Sequence, residues 1–213
     1  MAWTDPKTYI AGAILTAAQM NAMQANALAG GPIYATEAAR TTAIPSPFEG
    51  QRAYITGSTV AAATGVTTAV PTGIQTIYNG AAWVCVTPVG ARTVTDGTTN
   101  SATYTTTLAG GGTNCTVTLA TGTTALVSFN ASFFTGTALQ IAAISVSVSG
   151  ATTLAGSDDY MVNMELTSSL GMGRSFIITG LTAGNNVFSL CYRSAGTNTM
   201  NAGRRTLTVQ GIA

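Results

Sequence analysis

Residues 141–150 read IAAISVSVSG, and from Ile144 the apolar and polar side chains alternate strictly: Ile144, Val146 and Val148 against Ser145, Ser147 and Ser149. A helix advances about 100° per residue and would spread those three aliphatic side chains around its axis, whereas a pleated strand puts them all on one face. The stretch therefore reads as a strand with one apolar and one hydroxyl-coated side. Strands of this kind build antiparallel sheets that pack on a core with a single face.

The same period recurs in both directions. Cys115, Val117 and Leu119 oppose Thr116 and Thr118, and Phe188, Leu190 and Tyr192 oppose Ser189 and Cys191. Over residues 90–213 the pattern predicts strands at RTVT (92–95), TYTTTL (103–108), CTVTL (115–119), TALVSFNASFF (124–134), IAAISVSVSG (141–150), YMVNMEL (160–166), RSFIIT (174–179), NVFSLCYR (186–193) and RTLTVQG (205–211), punctuated by Gly and Asn. That is enough for an antiparallel β-sandwich of jelly-roll type, which takes about eight strands. The fold class read from the sequence is all-β.

Two smaller units precede the sandwich. Residues 32–89 hold a linker with Pro45, Ser46 and Pro47, then FEGQRAYITG (48–57) and IQTIYNGAAWVCVTP (74–88), a small β module in which Asn79-Gly80 sits between two apolar runs. Asn-Gly suits a tight hairpin, while the spacing from Tyr78 to Trp83 also allows a longer loop. Residues 1–31 end in LTAAQMNAMQANALAGG (15–31), a short helix with Thr16 as N-cap, Gln19 completing a capping box, and Gly30-Gly31 as the stop. Such a helix is too short to be stable alone, so its apolar stripe must lie on something.

Only 7% of residues are charged and the net charge is +1, against about 25% charged residues in ordinary soluble domains. Threonine fills the outer positions instead, where its branched carbon fits a pleated surface and its hydroxyl stays hydrated. With no basic block, binding to nucleic acid through phosphates is not expected. No apolar run approaches the ~18 residues of a membrane-spanning helix. The front of the chain shows no basic segment followed by a long apolar run, so no secretory signal is read, and folding in a cytoplasm is expected.

Catalytic chemistry finds little to stand on. The chain has no histidine, which removes the commonest general base and metal ligand. Asp158-Asp159 with Glu165 could serve as acids in glycoside hydrolysis or as calcium ligands, but Asp in a GSDD loop more often makes a turn. Gly110-Gly111-Gly112 reads as a hairpin tip, because no helix pattern or Lys follows it. Gly171 and Gly173 read as a pair between strands. Arg174, Arg193 and Arg204-Arg205 could meet at one end of the sandwich and bind an anionic glycan, or bond carboxylates and carbonyls at a subunit contact. Tyr104, Tyr160 and Tyr192 are expected in the core, as are the reduced thiols of Cys85, Cys115 and Cys191. No catalytic residue, metal or cofactor is expected.

Some strands carry apolar residues on both faces: Leu126 and Phe134 lie opposite Val127, Phe129 and Phe133, and Met161 backs Tyr160, Val162, Met164 and Leu166. A lone sandwich gains little from them, so they suggest contact between copies, with threefold packing expected.

Three stretches carry a resemblance. WTDPKTYIAGAILTAAQMNAMQANAL (3–28) is similar to the N-termini of tailed-bacteriophage structural proteins, FEGQRAYI (48–55) with IYNGAAWVCV (77–86) to a segment of phage tail and head-fibre proteins, and residues 178–212 to the closing strands of their jelly-roll domains. The chain departs from that pattern in the long loop between Ile55 and Ile74. The resemblance implies a virion accessory protein (head fibre, capsid decoration or minor tail protein), a homotrimer that assembles in the host cytoplasm and binds capsid or tail proteins. An anchor of this kind would bury Trp3, Tyr9, Ile10, Leu15, Met20, Met23 and Leu28 against a neighbour. Two other roles remain open: a receptor-binding tip that recognises a host-surface glycan, and a polysaccharide depolymerase.

Overall fold

A computed structural model describes residues 16, 17, 20, 21, 31–57, 73–137, 140–195 and 198–213. The sandwich is built from β5 (Val89–Thr93), β7 (Thr116–Thr121), β8 (Thr124–Thr135), β9 (Ala142–Gly150), β10 (Val162–Met164), β11 (Leu170–Thr179), β12 (Gly184–Ser194) and β13 (Met200–Ile212), with a short β6 (Gly97–Thr99) added to β13. One sheet runs β11-β8-β13-β5 and the other β10-β9-β12-β7. First pairs with last (β5 with β13), second with second-last (β7 with β12), then β8 with β11 and β9 with β10, all antiparallel. That nesting is a long hairpin rolled up on itself, the jelly roll.

The strand alternation places the core as the sequence predicts. Ile144, Val146, Phe188, Leu190, Val117 and Leu119 point inward from one sheet and Val127, Phe129, Phe133, Leu207 and Val209 from the other, all buried. Asn186 lies within this interior, where its Nδ2 donates to Thr121 Oγ1 at 2.8 Å and to the Thr182 carbonyl at 2.9 Å, and its Oδ1 accepts from the Thr152 N–H at 2.8 Å. A buried amide so satisfied costs little.

Several elements differ from the sequence reading. TYTTTL is not a strand: only Thr105 bridges Tyr192, because this segment fills the part of the β12 edge that β7 does not reach. YMVNMEL shrinks to Val162–Met164, since a 3₁₀ turn at Asp158–Tyr160 occupies its front. RTVT is replaced by Val89–Thr93, whose inward residues are Val89, Ala91 and Thr93. Gly171 and Gly173 lie inside β11 and not between strands.

Ahead of the sandwich, β1 (Ile33–Tyr34), β2 (Arg52–Ile55), β3 (Ile74–Tyr78) and β4 (Trp83–Cys85) form a third sheet. Helix α1 (Glu37–Ala43), capped by Thr36 Oγ1 on the Ala39 N–H at 3.1 Å, packs on it. Its Arg40 lies 4.5 Å over the Trp83 ring. The β3–β4 connection is the longer loop, with Asn79 Oδ1 accepting from the Ala81 and Ala82 N–H groups and Gly80 at φ 89°. This module seats on one end of the sandwich: a Cβ on Gly211 would meet Val84 Cγ1 at 2.5 Å, and Gln210 Nε2 donates to the Val86 carbonyl at 2.9 Å. Core residues run continuously from Tyr34 to Val209.

Candidate functional site

Of the residues assigned to the N-terminal anchor, Trp3, Tyr9, Ile10, Leu15, Met23 and Leu28 lie outside the described residues, as does Gln19. Ala17, Met20 and Asn21 are helical, the Met20 N–H donates to the Thr16 carbonyl at 3.0 Å, and Met20 is 52% exposed. Where this segment joins the module at Gly31, a groove of about 600 Å³ opens between Ile44, Pro45, Phe48 and Arg52. Phe48 stands in it 68% exposed.

The four arginines do not converge. Arg193 pairs with Asp158 (Nη2 to Oδ2 2.7 Å, Nε to Oδ1 3.1 Å) on the outer face of the β9–β12 sheet, where the Tyr104 hydroxyl also donates to Asp158 at 2.7 Å. The tyrosine hydroxyl and the guanidinium hold the Asp158 carboxyl below the usual carboxylate range, and burial followed by this carboxylate pushes the Tyr104 phenol up. Asp158 therefore braces the turn that Ser157 caps. Glu165 is exposed. Arg174 donates to the Met161 carbonyl at 3.1 Å beside the Phe176 ring, which stacks on Tyr160.

Arg204 and Arg205 part company at a β-bulge. Gly203 pairs with Ser132 and Thr206 with Asn130, so both arginines oppose Ala131. The extra residue inverts the alternation of β13: Met200 and Ala202 point inward before it, Arg205, Leu207 and Val209 after it. Bulges re-aim side chains in this manner. Arg204 pays with φ 48°, the one non-glycine residue in the left-handed region among the described residues, a conformation that costs about 1–2 kcal/mol.

Arg205 is 1% exposed between the sheets. Its Nη1 donates to the Tyr192 hydroxyl at 3.2 Å, its Nη2 to the Thr95 carbonyl at 2.9 Å and to the Gly111 carbonyl, and the Tyr192 hydroxyl passes on to Asn114 Oδ1 at 2.7 Å. No carboxylate pairs with it among the described residues. Its charge is spread instead over carbonyls of the two loops that close this end.

Arg204 faces outward into a trough of about 330 Å³. The floor is the cross-strand pair Ser132–Gly203. The next row carries Phe134 and Asn201, with Ser169 bonded through its Oγ to Ser132 Oγ at 2.7 Å. Asp96 forms the remaining wall. Its carboxylate lies so close over Gly203 that a Cβ there would come within 1.5 Å of Oδ1, so any larger residue must displace it. Asp96, Asn201 and Arg204 make no side-chain hydrogen bond or ion pair among the described residues. Sequence reading missed this site, because Asp96 and Asn201 sit far apart in the chain with no motif around them. The one available signal was the parity break in MNAGRRTLTV.

Cys85, Cys115 and Cys191 are free and buried, with thiols pushed up by desolvation to about 11, 11 and 12. Such thiols are unreactive. No group of three His, Cys, Asp or Glu side chains able to hold a metal ion occurs among the described residues. No described helix is long and apolar enough to cross a membrane.

No protein-family model matches the sequence, and no curated protein matches it. Among solved structures, the chain is similar to TmCBM61 in complex with β-1,4-galactotriose, at 13% identity and a TM-score of 0.26 over 56% of this chain and 68% of that one. It is also similar to an isomalto-dextranase of Arthrobacter globiformis T6 complexed with panose, at 13% identity and a TM-score of 0.32 over 76% of this chain. The match spans 33% of the dextranase.

Proposed function

We propose that the protein is a non-enzymatic structural component of a tailed-phage virion, attached to capsid or tail through its N-terminal segment and displaying the jelly roll outward as a homotrimer. The observation that carries this reading is Met20. It is the one large residue of the predicted apolar stripe among the described residues, and it stands 52% exposed on its helix. Of the described residues before Tyr34, Pro32 is buried, Gly31 is half-buried and the rest are exposed. An exposed methionine on the apolar side of a helix too short to be stable alone suits a segment that docks on another molecule. Burying large side chains of this kind is worth about 1.5–3 kcal/mol each before ordering costs, and three linked copies multiply the effect.

Two further features support the reading. The groove beside Gly31, with exposed Phe48, offers apolar surface at the same end of the molecule. Leu126, Ile177 and Ile212 make an apolar corner on the outer face of the β8–β13 sheet, at 36%, 55% and 40% exposure, which suits contact between copies. Deleting residues 1–31 tests the proposal. The expected product is a folded, soluble sandwich that no longer enters particles of the phage that encodes it. A deletion product that unfolds, or that still incorporates, overturns the anchor. Light scattering of the full chain reads the trimer directly.

A further inference from the structure

We infer that the trough at the β13 bulge binds a neutral saccharide, with Asp96 and Asn201 taking its hydroxyls, Arg204 donating to its oxygens, and the Phe134 ring lying against its C–H face. This goes beyond the attachment reading and does not rest on it.

Shape is the first ground. Ser132 and Gly203 floor a hollow of about 330 Å³ bordered by Asp96, Phe134, Asn201 and Arg204, a volume within the range of small-ligand sites. The second ground is the unspent hydrogen-bonding capacity. A carboxylate, a primary amide and a guanidinium converge without partners among the described residues, beside a pair of serine hydroxyls. A ligand that satisfies them must offer donors and acceptors at close spacing, and vicinal hydroxyls on a ring do so. The half-buried Phe134 adds the apolar patch that a sugar's C–H surface requires.

Other ligand classes fit worse. A divalent cation takes six or more oxygen ligands with carboxylates among them, and here the one carboxylate shares the trough with the cationic Arg204. A free anion would meet Asp96. The backbone outlier points the same way: Arg204 holds φ 48° where it borders the trough, and strain of that sort clusters at ligand sites. The position is also accessible. Phe134, Asn201 and Asp96 lie at the end of the sandwich where β8 finishes and β13 begins, while Val84 and Val86 of the module seat at the other, near Gln210 and Gly211.

The test is a titration of the ¹⁵N-labelled full chain with glucose, galactose, rhamnose and N-acetylglucosamine, alongside galacturonic acid and inorganic sulfate. The expected result is saturable shifts for at least one neutral sugar at the amides of Ser132, Asn201, Gly203 and Arg204. Asp96→Ala, an exposed substitution, should weaken that binding at least about tenfold, as the loss of one charge-assisted hydrogen bond does. Gly203→Ala should do the same by displacing the Asp96 carboxylate, and Arg174→Ala should not. Shifts with none of the neutral sugars, shifts centred elsewhere, or unchanged affinity in Asp96→Ala would overturn the site. A response confined to galacturonic acid or sulfate would overturn it in favour of an anion site.

Discussion

The two sheets present the same alternation on their outer faces and meet different surroundings. Outside the β9–β12 sheet, Ser145 is fully buried and Cys191 is 1% exposed. Tyr104 and the turn from Gly156 to Asp158 lie over them: Ser145 Oγ donates to the Ser157 carbonyl at 2.7 Å, and a Cβ on Gly156 would come within 2.5 Å of Cys191 Sγ and 2.8 Å of the Tyr104 ring. Outside the β8–β13 sheet, Ser128, Asn130 and Ser132 meet solvent, and Ser128 bonds only its neighbour Ser175. Period-2 patterning thus reports which side of a strand packs on the core. It does not report what covers the other side, because a serine serves equally as a hydrated surface group and as a donor to a loop carbonyl.

The largest expected effect belongs to the residue that ties the two sheets together from inside. Arg205→Ala would leave the buried Gly111 carbonyl without its guanidinium donor, release the Thr95 loop and open a void beside Tyr192, and should cost about 3 kcal/mol or more in urea unfolding. If the loss is below 1 kcal/mol, the two loops are held by other means. Next is Gly156→Val on the covered face. It should cost about 1–3 kcal/mol through overpacking and make Cys191 react with Ellman's reagent in the native state, where the wild-type thiol, held up at about 12, does not. Persistent inertness would mean that the cover is not closed by this contact.

Asp158→Asn loosens the same cover at its exposed rim, and the expected loss is under about 1 kcal/mol. Its pH dependence carries the sign. The folded carboxyl is held low, so its stabilisation is present above the unfolded value of about 4 and disappears as pH falls through the lower folded value. Wild type should therefore lose more stability than the variant on acidification, and parallel curves would dismiss the pairing. On the open face, Thr208→Val should change stability by no more than about 0.5 kcal/mol.

The fold was largely legible because jelly-roll strands keep one face dry. Ile144 to Ser149 and Phe188 to Tyr192 show it directly, as does the double-sided run from Leu126 to Phe134. TYTTTL misled because Thr103, Thr105 and Thr107 imitate a wet strand face, while this segment has only a stretch of the β12 edge to pair with. Strand order was not legible, since hairpin nesting leaves no local trace. The trough was invisible for a related reason: Asp96, Ser132 and Asn201 come from three distant parts of the chain, and only the parity break at Gly203 and Arg204 betrays the bulge that joins them. The anchor rests on the helical pattern, of which the described residues include Met20.

The module meets the sandwich through Pro88 and enters it at Val89, the head of an edge strand bonded antiparallel to β13 from Val89–Val209 to Thr93–Arg205. Tension applied between an attached front end and a ligand gripped at the far end would run along β5, not across it. Its ladder bonds would be loaded together in shear, each sharing the pull, and would not open one after another like a zip. Pulled that way, the joint between module and shell would resist as a strand pair loaded in shear.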